Sequence, residues 1–383
     1  MSLAALVAGL ALAAWLYLLF GRGFFWLPLW PDPVAAPERW PRIAAIVPAR
    51  NEAAVVAAAI GSLLVQDYPG AFSVTLVDDG SEDGTAEIAR AEAARLGRSD
   101  RLAVVAARPL PPGWSGKLWA MSEGVAAVEA AGEPPEALFF TDADIVHSPS
   151  HLAMLAARLE GERRDLVSEM VLLRCRSLAE RFLIPPFVFF FAMLYPFAWS
   201  NDPRRRTAAA AGGTMLLRRS AYGRIGGLAA IRAALIDDCA LAKAVKQSGG
   251  SVWLGLTKET RSLRPYPRLR DIWRMVARTA YAQLRYSPLL LAGTVAGLAL
   301  VYLAPVALVF AGGAASWLAV AAWVAMSLAF LPMVLFYRLA PLWALLLPAA
   351  ALVYLAATVD SARRHWQGTG GEWKGRVAWR HRK

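Results

Sequence analysis

Two stretches of the chain are apolar without polar relief, and a segment of mixed polarity lies between them. Residues 3–20 carry no charge, and Arg22 follows directly. At ~1.5 Å rise per residue such a run spans or nearly spans a bilayer. We read residues 1–22 as an uncleaved transmembrane anchor rather than a signal peptide. No basic residues precede the run, and no small-residue cleavage site stands before Gly21. The second block, residues 289–359, carries a single charge, Arg338. At ~20 residues each it accommodates about three transmembrane helices, with breaks near Gly312-Gly313 and around Arg338.

Between the blocks the pattern changes period. Residues 43–47 form a short apolar run closed by Pro48, a buried strand candidate. Helix 53–65, strand 74–77, helix 86–96, strand 102–106, helix 117–131, strand 137–140 and a helix ending near Leu159 follow. Strands alternating with helices of this length predict an α/β domain over 39–265, Rossmann-like, with a mostly parallel sheet. Ligands in such sheets bind beyond the carboxyl ends of the strands. Residues 182–199 hold eight aromatic residues but also Pro185, Pro186 and Pro196. Those prolines argue against a regular span, so an aromatic element at the bilayer surface is expected, with a buried core segment as the alternative. Residues 266–288 alternate arginines with aromatic residues and predict a second interfacial helix.

Composition narrows the class. A hydrophobic share of 57% and a charged share of 18% exclude a disordered chain, and two cysteines exclude a disulfide scaffold. The net charge of +12 concentrates beside the apolar blocks, at Arg22, Arg39 and Arg42 and in a basic tail over 360–383. The positive-inside tendency places both regions, and the globular domain, in the cytoplasm. Three C-terminal spans would put the tail on the opposite side, so one segment is re-entrant or interfacial. No nucleic-acid motif accompanies the charge; anionic head groups of an inner, plasma membrane explain it better.

The chemistry concentrates in acidic pairs. Asp142-x-Asp144 at a strand end suits a divalent cation that also takes phosphate oxygens. Asp78-Asp79 ends another strand, and Asp237-Asp238 opens a helix, where acids also complement the dipole. Each pair alone is common in solvated turns; three in one α/β domain are a stronger signal. His147 and His151, four apart, lack a third ligand and are expected to be surface histidines. Cys175 and Cys239 are expected to be ordinary thiols.

In order, Val47-Pro48-Ala49-Arg50-Asn51-Glu52, then Val77-Asp78-Asp79-Gly80-Ser81-Glu82-Asp83-Gly84-Thr85, then Thr141-Asp142-Ala143-Asp144 resemble the nucleotide-sugar-binding series of glycosyltransferase family 2, the GT-A fold. Lys117 matches its membrane-lipid branch. Gly212-Gly213-Thr214 and Asp237-Asp238-Cys239-Ala240-Leu241 resemble the acceptor segment and the catalytic-base motif. Gln283-Leu284-Arg285-Tyr286 resembles Gln-x-x-Arg-Trp, with Tyr where Trp is usual. The whole layout is most similar to hopanoid-biosynthesis-associated membrane glycosyltransferases, relatives of ceramide and carotenoid glucosyltransferases. The resemblance implies a nucleotide-sugar donor, a UDP-sugar, with substrate contacts at Pro48, Arg50, Glu52, Asp78, Asp79, Lys117, Asp142, Gly213, Gln283, Arg285 and Tyr286. It implies Mg²⁺ or Mn²⁺ on Asp142 and Asp144, Asp238 as base with Asp237 beside it, inversion, and a lipid acceptor. A processive polysaccharide synthase and a non-catalytic membrane scaffold are the rival readings.

Overall fold

The computed structural model describes residues 2–370, 372–373 and 376–377; the rest of the basic tail lies outside the described residues. Strand β1 (Ile43–Ala49) has every residue buried, as a strand covered on both faces requires. Ile43, Ala45 and Val47 join a core with the helices Val56–Leu64, Thr85–Arg95 and His151–Gly161. Ile46 joins the opposite core, against the helices Gly116–Ala130 and Asp237–Gln247. At Gly124 the first of these helices comes so near the sheet that an added Cβ would lie 2.6 Å from Ile46.

Strands β2 (Phe72–Asp78), β3 (Leu102–Ala106) and β4 (Ala137–Phe140) run parallel beside β1, where the apolar runs predict them. Strands β5 (Ile145–His147), β6 (Leu166–Leu172), β7 (Met215–Arg218) and β8 (Val252–Ser262) complete the order β3-β2-β1-β4-β7-β6-β8-β5. Strand β7 is antiparallel to β4 and β6, and β5 to β8. The register pairs Ala49 with Asp78 and Ile46 with Phe140. It therefore brings the acidic turns after β2 and β4 to one edge of the sheet.

Among the described residues four helices are long and apolar enough to cross a membrane: Leu3–Gly21, Pro288–Leu308, Gly313–Phe336 and Pro341–Trp366. Ala5, Ala8 and Ala11 of the first are buried, and Gly9 faces Leu318. Small residues let two apolar helices approach where lipid gives no hydrophobic drive.

The aromatic segment departs from expectation. Leu178–Leu194 is one helix with Pro185 and Pro186 inside it, opened by a capping box between Ser177 and Glu180. It is packed into the bundle rather than spread on a surface. Leu183, Ile184, Val188 and Phe189 are at most 1% exposed. Four such side chains contribute about 1.5–3 kcal/mol each, which together matches or exceeds the cost of about 3 kcal/mol for each of the two prolines. Burial wins over propensity. The interfacial segment forms the amphipathic helix Leu269–Gln283 and is tied to the last apolar helix. Trp273 Nε1 donates to Asp360 at 2.8 Å, and the Tyr281 amide donates to Ser361 Oγ at 3.0 Å.

The two histidines are not on the surface. His147 and His151 are 4% and 0% exposed, with their Nδ1 atoms 3.1 Å apart. His151 Nε2 lies 2.9 Å from Glu169, and His147 Nε2 lies 3.0 Å from Thr141 Oγ1. A partly apolar spacing on the His151–Gly161 helix had concealed a buried polar chain beneath the β4 turn.

Candidate active site

The turn after β4 supports the centre of the site. Thr141 Oγ1 donates to the Gly213 carbonyl at 2.8 Å, which fixes the Gly212-Gly213 turn against the Asp142–Asp144 turn. Across from them, Ser115 caps the helix that begins at Gly116, so Lys117 projects from its first turn. Lys117 Nζ sits 2.9 Å from Asp142 Oδ1 and 3.0 Å from Asp237 Oδ2. Asp238 Oδ2 accepts the Gly212 N–H at 2.9 Å, and its Oδ1 accepts the Cys239 N–H at 2.7 Å. Gly212 is glycine for space. A Cβ there would stand 3.1 Å from Lys117 Nζ and 3.5 Å from Asp238 Oδ2.

A second cation closes the other side. Arg264 Nε donates to Asp144 Oδ2 at 2.8 Å, and its Nη2 to Glu52 Oε1 at 2.6 Å. Ser262 Oγ adds a bond to Asp144 Oδ2 at 3.2 Å. These groups line one cavity of about 870 Å³, shared with Pro48, Gly213, Trp114 and Tyr266. Its far walls come from the apolar bundle and the amphipathic helix, through Phe187, Phe191, Met275, Arg274, Arg278 and Arg364.

The charges set one another's protonation. Burial raises the Asp238 carboxyl and the adjacent Asp237 raises it further, against Lys117 and the two N–H donors, leaving it at about 6. Burial thus does more than the neighbouring charge. Asp142 is raised by burial too, with Lys117 opposing. Burial alone would pull Lys117 down, but Asp142 and Asp237 overcome it and hold the amine protonated. His147 is driven by burial, then by His151, well below its usual value and is neutral.

Asp142 and Asp144 fit a cation that arrives with its own ligands. Each spends one oxygen on Lys117 or Arg264, and the other makes no hydrogen bond among the described residues. No cluster of three or more His, Cys, Asp or Glu that could hold a metal occurs among the described residues. Two carboxylates plus phosphate oxygens is the usual way Mg²⁺ is held.

Not every expected residue reaches this cavity. Asp78 Oδ1 accepts the Ser81 N–H at 3.0 Å and the Ser81 hydroxyl, closing its own turn. Asp79 is 2% exposed beneath Arg50, which donates to the Asp79 carbonyl and lies 3.9 Å from its carboxylate. These three flank the cavity at the ends of β1 and β2 without lining it. Gln283 exchanges hydrogen bonds with Tyr195 OH at 2.6 and 2.9 Å. Arg285 and Tyr286 have left-handed backbone, φ 52° and 56°, and Tyr286 stacks on His365 at 4.3 Å. None of the three lines the cavity. The segment also has one residue between Gln and Arg where the motif has two. Sequence reasoning missed Arg264, Tyr266, Arg274, Arg278 and Arg364. Only the four-residue spacing of Arg274 and Arg278 gave a signal.

The family model described as glycosyltransferase like family 2 matches residues 41–282. A solved mannosyltransferase from Pyrobaculum calidifontis, in complex with GDP-Man and Mn²⁺, is 21% identical with a TM-score of 0.52, over 94% of this chain and 99% of that one. Mannosyl-3-phosphoglycerate synthase from Rubrobacter xylanophilus is 20% identical over 64% of this chain and 73% of its own, TM-score 0.41. Glucosyl-3-phosphoglycerate synthase from Mycobacterium tuberculosis, in complex with phosphoglyceric acid, is 19% identical over 64% and 79%, TM-score 0.41. No curated protein sequence matches the chain. The matched span runs from the start of β1 to the last turn of the amphipathic helix and takes in nearly every carboxylate and cation of the cavity, so the chain belongs to glycosyltransferase-like family 2 and is a glycosyltransferase.

Proposed function

We propose that the enzyme is a membrane-bound inverting glycosyltransferase that moves a sugar from a UDP-sugar to the hydroxyl of an amphiphilic lipid. One observation carries this reading. A single cavity is walled by strand-end carboxylates on one side and by Phe187 and Phe191 of the apolar bundle on the other. A polar donor and an apolar acceptor can meet only in such a place. The hopanoid class is the acceptor that the sequence layout favours.

The residues divide the work. The Asp238 carboxylate, held by two N–H donors, takes the proton as the acceptor oxygen attacks the anomeric carbon and the bond to the diphosphate breaks. One base and one displacement invert the centre. Asp237 holds Lys117, whose ammonium stands beside the place where diphosphate charge develops. Mg²⁺ or Mn²⁺ on Asp142 and Asp144 would supply charge neutralisation for the departing diphosphate. Asp78 and Asp79, at the end of β2 beside the cavity, would take the uracil and ribose. The complete acidic set argues against a scaffold. Comparing the lipids of a deletion strain with wild type by mass spectrometry tests the acceptor. An unchanged lipid profile with a missing soluble polymer would support the polysaccharide synthase instead.

Membrane placement follows from charge. Arg22 lies over Trp199 at 5.1 Å, and Lys258 of β8 lies over Phe336 at 5.2 Å. His365 stacks on Tyr286, just before Pro288. The domain-side ends of all four apolar helices are therefore basic, while residues 308–316 hold no charge. Pro341–Trp366 begins soon after Phe336 and ends at Tyr286, so both of its ends lie on the domain side. Three helices cross, and the fourth, whose helix Leu347–Trp366 is unbroken, lies along the domain-side interface. This reading puts the transferase domain and the tail in the cytoplasm at the inner membrane. A fluorescent protein fused after Lys383 should glow in cells, whereas a periplasmic phosphatase there should be inactive; the reverse pair of results refutes the topology.

A further inference from the structure

The helix wall of the cavity carries charge that the chemistry above does not use. Arg274 and Arg278 stand one turn apart on the Leu269–Gln283 helix, and both line the cavity. The other cations there are engaged. Lys117 and Arg264 each hold two carboxylates, and Arg364 Nε is held by Asp360 at 2.8 Å. Arg274 and Arg278 make no ion pair or hydrogen bond with the described residues, and both are exposed to the opening. The acidic neighbour on their helix face, Asp271, accepts the Arg268 N–H at 3.1 Å and lies 3.9 Å from Arg270.

Side chains four apart on a helix stand ~6 Å from each other. Two guanidiniums at that spacing can close on one tetrahedral anion, each presenting a planar fork of N–H donors. Arg285, which the resemblance names only as a substrate contact, lies beyond the helix end and outside the cavity wall.

We propose that Arg274 and Arg278 form a phosphate-binding subsite on the helix wall of the cavity. The phosphate is either the diphosphate of the donor or a phosphate head group on the acceptor, since both present the same oxygens. The inference rests on reading this cavity as the place where donor and acceptor meet.

The test uses the full chain in neutral maltoside detergent. Wild type, Arg274→Gln/Arg278→Gln and Arg274→Lys/Arg278→Lys are titrated by calorimetry with UDP plus Mn²⁺, with GDP plus Mn²⁺, and with dodecyl phosphate. Each lost charge-assisted contact weakens phosphate binding about tenfold. A fall of that order or more for the nucleotides in the Gln pair, partly restored in the Lys pair, identifies the donor as the source. The same fall for dodecyl phosphate alone identifies the acceptor. Unchanged affinity for all three ligands, with wild type binding at least one, overturns the subsite and leaves the functional reading standing. Wild type that binds neither nucleotide overturns the functional reading itself. Matched melting temperatures across the three proteins exclude misfolding as the cause of a loss.

Discussion

Asp238→Asn keeps the size of the side chain at the start of the Asp237–Gln247 helix and removes its ability to take a proton. Loss of a general base costs ~10²–10⁴-fold in rate. Stability should respond differently. The carboxyl is raised from an ordinary 3.8 to about 6 in the folded protein, which at about 1.36 kcal/mol per pH unit amounts to about 3 kcal/mol. Between those values the folded state binds more protons than the unfolded one. The stabilisation is therefore complete below the lower pKa and gone once the pH passes the upper. Asn has no such titration. It keeps one acceptor for the N–H groups of Gly212 and Cys239 and forfeits the other, at about 1–3 kcal/mol. The variant should then melt below wild type near pH 4 and draw level or pass it by about pH 7.5, the difference moving by about 3 kcal/mol. Melting of detergent-solubilised protein across that range, beside calorimetry of UDP with Mn²⁺ and a turnover assay, reads all three quantities. Donor affinity should barely change while turnover collapses. A melting difference that stays flat with pH refutes the raised carboxyl. Turnover that survives here but dies in Asp237→Asn moves the base by one residue.

Because Asp238 must be ionised to act, kcat/KM should fall on the acid side with a midpoint near 6; a plateau down to about pH 4.5 would count against it as the base. Mn²⁺ should bind weakly to the protein alone and at least about tenfold tighter with UDP present, since two carboxylates leave most positions to phosphate and water. Full activity in excess EDTA, or equal Mn²⁺ affinity with and without UDP, would contradict the Asp142–Asp144 assignment. Gly212→Ala should press Lys117 away from its two carboxylates and lower kcat/KM about tenfold while leaving the melting temperature close to wild type; unchanged kinetics would mean that the Lys117 position does not matter.

Half of the sheet was legible in the sequence. Strands β1 to β4 are short apolar runs, and acidic turns follow β2 and β4; parallel strands covered on both faces, as β1 and β4 are, have to read that way. Strands β5 to β8 left little local trace. Strand β7 is four residues long, and β8 carries Lys258, Glu259 and Arg261 within its eleven. Their pairing is set by distant partners, such as Val167 against Leu216, which no window of sequence contains. The prolines of the Leu178–Leu194 helix misled for the same reason, because burial against other helices decided its conformation. At the site, the acidic pairs were readable from their spacing. The cations that face them were not, because Arg264 and Arg364 come from segments whose only common property is where the fold delivers them.

The cavity is assembled from residues as far apart as Pro48 and Gly370, and Arg364, Thr369 and Gly370 reach it from the end of the last apolar helix. Protein engineering feels this directly. A fragment limited to residues 39–287 would retain every acidic pair and still lack the part of the wall built by Arg364, Thr369 and Gly370, so donor binding should persist while productive transfer fails. Extraction of the entire chain, rather than trimming, is the sound route to a working preparation. Here the catalytic module and its anchor are not separable parts.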